Sequence, residues 1–160
     1  MEIIQTSAKD PRLATLFAAH LAHSAAWSPP ESCHTLSPDT LAEGDALVWA
    51  AMDGGVPLGM GALQIDGAEG EIKSMHILEN QRGKGIGRAL LDAILAEAER
   101  RGLSVLRLET GAHAPYAAAR ALYEGAGFEV CPPFGAYHLA PYSQYYEKRL
   151  LAAAELEASP

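Results

Sequence analysis

The stretch QRGKGIGRALL, residues 81–91, sets Gly83, Gly85 and Gly87 among three cationic side chains, Arg82, Lys84 and Arg88. Glycine lets the backbone approach a ligand closely, so successive N–H groups of such a loop can point at anionic oxygens. A helix opening directly after the loop adds the partial positive charge of its N-terminus. The chemistry on offer is phosphate binding, although a bare helix start has the same composition. Three kinds of phosphate reader use glycines in this way. The P-loop string G-x-x-x-x-G-K-[ST] occurs nowhere in the chain. The dinucleotide fingerprint G-x-G-x-x-G is met at Gly83 and Gly85 but puts Arg88 where its last glycine belongs. Glu109, at the end of the following strand, stands where that nicotinamide reading needs a ribose-binding carboxylate. The third pattern is Arg82-x-x-Gly85-x-Gly87 itself, following a strand and opening a helix.

The elements that must carry this loop follow from periodicity and punctuation. EIIQTS reads as an opening strand, and Asp10 caps a helix that has Pro11 at its first position and runs to about Ala26. The connection WSPPESCHTLSPDTL, rich in proline and serine, ends in a short helix capped by Ser37. ALVWAAMD and VPLGMGALQID flank Gly54-Gly55 as a hairpin, and GEIKSMHIL is the next strand. Beyond the glycine loop, Ile86, Leu90 and Ile94 recur every four residues with Leu91, Leu95 and Ala98 beside them, an amphipathic helix ended at Gly102. SVLRLET is a strand, YAAARALYEGAG a shorter helix, FEVC a short strand and SQYYEKRL a final strand. The order β-α-α-β-β-β-α-β-α-β-β predicts an α/β fold with a mixed central sheet of about seven strands flanked by helices. Residues 1–152 make a single domain, followed by an alanine-rich tail over 153–160.

The formal net charge of -8 disfavours a nucleic-acid or anionic-membrane binder, which would show a basic face. A local cationic loop on an acidic protein suits a small anionic ligand instead. The cysteines, Cys33 and Cys131, are far apart and imply neither a disulfide framework nor a metal site. The N-terminus lacks a secretory pattern and no apolar run reaches the roughly 18 residues of a membrane span, so the expected compartment is the cytoplasm.

The Arg82-x-x-Gly85-x-Gly87 loop resembles the pyrophosphate-binding motif of the GCN5-related N-acetyltransferases. AAARALYEGAGF, residues 117–128, is similar to that family's second signature, with Ala119, Leu122, Tyr123, Gly127 and Phe128 in register. Further segments, SPPESCH at 28–34, GEIKSM at 70–75, LETG at 108–111 and PFGAY at 133–137, resemble the YsnE/PsiE-like bacterial subgroup. The resemblance implies the acyl-CoA N-acyltransferase fold and transfer of acetyl from acetyl-CoA to a small amine or amino-acid-like acceptor, both bound together, without a metal. A non-catalytic acyl-CoA-binding or sensor module on the same fold is the alternative. Homodimerisation is compatible with either.

Carried over residue by residue, Met75, His76 and Ile77 line the pantetheine arm, and an N–H near Ile77 polarises the thioester carbonyl. Arg82, Gly83, Lys84, Gly85, Ile86, Gly87 and Arg88 hold the pyrophosphate, with Ala119 on the next helix contributing. Tyr123 is the general acid for the departing thiolate, since a phenol with a pKa near ~10 is matched to a thiol. Glu71 ranks first as general base, ahead of Glu109, His113 and His76. Tyr116 stands where many relatives place an asparagine against the pantetheine; either its hydroxyl replaces that contact or the backbone alone holds the arm. The acceptor pocket draws on Glu31, Ser32 and His34 in one loop, Phe134, Tyr137 and His138 in another, and Glu109.

Overall fold

The computed structural model describes residues 1–27, 37–135, 137 and 141–150. Strand β1, Glu2–Thr6, leads into a turn in which the Asp10 carboxylate accepts the Arg12 N–H at 3.0 Å. Pro11–Leu13 form one 3-10 turn, and α1 continues over Ala14–Trp27. Ser37 caps α2, Pro38–Glu43, accepting the Thr40 N–H at 3.2 Å. The hairpin of β2, Leu47–Asp53, and β3, Val56–Asp66, turns at Gly54 and Gly55, both at positive φ as a tight turn requires. Strand β4 covers Glu69–Ile77 and helix α3 Ile86–Arg100. Strand β5, Val105–Gly111, is followed by α4, Ala117–Gly125, then β6, Glu129–Val130, and β7, Ser143–Arg149. This is the element order expected from the sequence. Strand β6 is shorter than FEVC implied: the Cys131 N–H still reaches the Tyr145 carbonyl at 2.9 Å, but Pro132 and Pro133 have no N–H to continue a ladder.

The strands lie in the order β1-β2-β3-β4-β5-β7-β6, with β4 and β5 parallel and the other pairings antiparallel. Helices cover both faces. On one, Ile86, Leu90, Leu91, Ile94 and Ala98 of α3 pack with Trp49, Leu63, Ile72, Leu106 and Leu108. On the other, Leu13, Leu16, Phe17 and Leu41 pack on Val48, Ala50, Met60 and Ala62. The alternation of β2 between these two cores explains why its middle is continuously apolar.

Two irregularities in β4 shape the site. Met60 pairs with His76 and Ala62 with Lys73, so Ser74 and Met75 together oppose Gly61 as a β-bulge. The parallel ladder to β5 runs only from Glu69–Val105 to Ile72–Leu108. Beyond that rung the two strands part, and β5 stays paired to β7 as far as Gly111–Ser143.

Candidate active site

A cleft of about 410 Å³ occupies the opening between β4 and β5. Its outer end is the glycine loop. Gly83 and Gly85 hold φ values of 79° and 80°, which a side chain disfavours, and the space above both is clear. Gly85 precedes the first turn of α3, whose leading N–H groups have no partner inside the helix and carry its positive dipole end. Gly87 has another task, because a Cβ there would crowd the Leu122 side chain of α4 at 3.2 Å. The Arg82 Nε donates to the Ile77 carbonyl at 3.2 Å, and Arg88 pairs with Asp92 at 2.9 Å; both line the cleft. Lys84 instead donates to Gln81 at 3.1 Å and stands outside the lining.

Met75, His76, Ile77, Tyr116, Ala119 and Leu122 line the middle of the cleft. Tyr116 lies flat on Gly111, where a Cβ would come 2.1 Å from its ring, and its edge meets His23 of α1 at 5.0 Å between centroids. The Nδ1 atoms of His20 and His76 are 3.2 Å apart, so one ring donates and the other must accept as a neutral imidazole. Burial pushes the pKa of His20 down to about 3, with His76 and His23 adding to the effect. Burial likewise lowers His76 to about 4, helped by Arg82 and His23. His23 is also lowered, by burial and then Arg82. Sequence reading passed over His20, His23 and Ser24, which line the cleft. Their i, i+3, i+4 spacing on one helix face was the available signal.

The inner end gathers Glu71, Lys73, Ser74, Glu109, Tyr123 and Tyr137. The Tyr137 hydroxyl donates to Glu71 at 2.6 Å, and the Lys73 ammonium stands 3.1 Å from the same carboxylate. Glu71 is thus engaged on both sides. Glu109 differs: burial raises its pKa to about 7, with the Glu71 charge adding, against the lowering influence of the nearby Ser143 hydroxyl and the charge of Lys73. Tyr123, only 4% exposed, packs against Phe128 and Tyr146, and burial followed by the Glu109 charge raises its pKa well above the phenol range. It therefore stays protonated at neutral pH, but as a weaker acid than the phenol near ~10 that the sequence matched to a thiol. Of the other residues expected here, His113 faces Tyr142 and Phe134 packs on Tyr137 and Tyr145, neither lining the cleft. Glu31, Ser32, His34 and His138 lie outside the described residues, as does the tail over 153–160.

The residues fit a long anionic acyl carrier. Amides at the glycine loop suit a pyrophosphate, and the unpaired edges of β4 and β5 suit an amide-bearing arm that replaces the missing rungs. Among the described residues, no group of three His, Cys, Asp or Glu side chains could hold a metal ion, and no helix is long and apolar enough to cross a membrane.

Comparison with known proteins agrees with this geometry. Residues 16–128 match the model of the Acetyltransferase (GNAT) family. The chain is 39% identical over 140 residues to the uncharacterized N-acetyltransferase YsnE of Bacillus subtilis, covering 87% of this chain and 93% of that one. A crystal structure from Klebsiella pneumoniae, assigned as an acyl-CoA N-acyltransferase, superposes with a TM-score of 0.76 at 31% identity, covering 94% and 97% of the two chains. The PaiA N-acetyltransferase of Thermoplasma acidophilum, solved in complex with coenzyme A, shares the fold at a TM-score of 0.69 and 17% identity, covering 94% of this chain and all of that one. The chain belongs to the GNAT family of N-acetyltransferases, acyltransferase enzymes that draw on acetyl-CoA.

Proposed function

We propose that this protein moves an acetyl group from acetyl-CoA to the amine of a small-molecule or amino-acid-like acceptor, by direct attack with both substrates bound. The observation that carries the proposal is one cleft holding three things in sequence. It has a glycine loop at its mouth, unpaired strand edges along its length, and a carboxyl with a pKa of about 7 beside a buried phenol at its end. Acetyl-CoA supplies the activated thioester.

The loop N–H groups from Gly83 to Arg88 hold its pyrophosphate, and Met75 to Ile77 with Tyr116 and Ala119 flank its arm. Glu109 takes the proton from the acceptor ammonium, because a base with a pKa near neutrality is ionised yet still proton-hungry at working pH. Glu71, held by Tyr137 and Lys73, orients the acceptor rather than serving as base. As the amine forms its bond to the acyl carbon and the carbon–sulfur bond breaks, the Tyr123 hydroxyl gives its proton to the sulfur, and the second proton leaving the new amide nitrogen passes through solvent to restore the Tyr123 hydroxyl. Tyr116 acts through its ring, packed between Gly111 and His23, so the arm is held chiefly by backbone.

Two measurements test this reading. Thermal shift with acetyl-CoA, CoA and NAD is expected to show stabilisation by the two CoA species; stabilisation by NAD alone overturns the family donor. A screen of amines and amino acids, read by free CoA release, is expected to find an acceptor. Binding of acetyl-CoA with no transfer to any amine would instead make the chain an acyl-CoA-binding module.

A further inference from the structure

Ser74 combines three properties. Its φ is 54°, in the left-handed region, a value shared among the described non-glycine residues only with Asp45. Its Oγ is buried with no hydrogen-bond partner among the described residues. It also lines the cleft, as the first residue of the β4 bulge. Glycine fills such a bulge position at lower conformational cost. Serine adds one hydroxyl to what glycine would give, and a buried hydroxyl left unpaired is unfavourable. Among the described residues nothing uses that hydroxyl.

Its place along the cleft identifies what does. The opening between β4 and β5 closes at the Ile72–Leu108 rung. An arm that enters from the glycine loop brings its tip to the residues just past that rung, Lys73 and Ser74 on one strand and Glu109 on the other. Lys73 is tied to Glu71 at 3.1 Å, and Glu109 carries the titrating carboxyl. With the Tyr137 hydroxyl held by Glu71 and that of Tyr123 assigned to the sulfur, the neutral side-chain donor left at this point is the Ser74 hydroxyl, which rotation about Cα–Cβ turns from its buried position toward the arm. We propose that Ser74 is a catalytic residue whose Oγ–H donates a hydrogen bond to the carbonyl oxygen of the bound acyl thioester, and that this bond strengthens as the oxygen gains charge during attack. The assignment rests on acetyl-CoA being the donor, as proposed above.

The test is calorimetric titration of wild type, Ser74→Gly and Ser74→Ala with acetyl-CoA, S-ethyl-CoA and CoA; the last two lack the carbonyl. Ser74→Gly removes the hydroxyl while suiting the backbone, so its Tm is expected to equal or exceed that of wild type. Both variants are expected to lose roughly three- to tenfold in affinity for acetyl-CoA, the range of one hydrogen bond, with S-ethyl-CoA and CoA within twofold of wild type. With a confirmed acceptor, kcat is expected to fall by about 10²-fold while the acceptor KM holds. Unchanged selectivity for acetyl-CoA over S-ethyl-CoA, or equal weakening of all three ligands, overturns the role of Ser74. Failure of wild type to bind any of the three overturns the donor assignment, and the Ser74 role with it.

Discussion

At the scale of single residues, the proposed mechanism puts its weight on two groups whose surroundings move their proton affinities. Glu109→Gln is expected to lower kcat/KM by 10²-fold or more and to remove the rise in rate through pH 7 that an ionising base produces, measured as a pH–rate profile. The same substitution has a stability signature of opposite sign. The folded carboxyl holds its proton to about pH 7, whereas the unfolded one loses it near 4.5, so wild-type stability falls as pH rises between those values. Glu109→Gln is therefore expected to be the more stable form above pH 7, by about 2–3 kcal/mol at most, and the gap should close below pH 4.5 in denaturant titrations. For Tyr123→Phe, loss of the proton donor predicts a fall in kcat of about 10²-fold with little change in acetyl-CoA KM; unchanged turnover would remove it from the mechanism. The place of Tyr123 in the cleft was legible because its helix repeats a family signature. What was not legible is that the Glu71 carboxylate is engaged, because Tyr137 reaches it from 66 residues away while Lys73 joins it from the same strand.

At the scale of elements, local rules were sufficient almost everywhere they applied. Asp10 with Pro11, Ser37 with Pro38, the Gly54-Gly55 turn and Gly102 after α3 each act within a few residues of sequence, and each marks a boundary in the fold. The glycine loop is the functional case. Gly85 is both the αL residue before α3 and a place where the amide must face outward. Gly85→Ala puts a Cβ on a backbone with φ of 80°, a cost of about 1–2 kcal/mol, so the Tm should fall by several degrees. Any relaxation that relieves the strain turns the amide away from the ligand. The expected kinetic result is a rise in acetyl-CoA KM of tenfold or more, with kcat much less affected. A loss confined to kcat would place the loop's role in the chemical step instead of in binding.

At the scale of the whole molecule, what escaped sequence reading was what only strand pairing creates. The splay after Ile72–Leu108 and the bulge at Ser74 belong to no local pattern, and they set where every cleft residue stands. The docking of α1 is of the same kind. Its His20 meets His76 of β4 across the interface, a polar contact that works only while at least one ring is neutral. Arg82 and His23 stand near enough to oppose protonation, and Glu79 favours it at His23. With His20 held down to about 3 and His76 to about 4, the unfolded chain binds protons below pH 6.5 that the native state refuses. The pair therefore costs no stability above pH 6.5 and lowers it progressively as pH falls toward 4. Glu109 acts in the other direction over part of this range, so the contribution must be read as a difference between proteins that share it. Urea unfolding of wild type and of His20→Gln/His76→Gln at pH 7.5 and 4.5 isolates the pair. The stability difference is expected to shift by about 2 kcal/mol in favour of the double variant at the lower pH, on the scale of 1.36 kcal/mol per pKa unit reduced for coupling between the rings. Parallel stability curves would mean that both histidines ionise in the folded protein as they do in water.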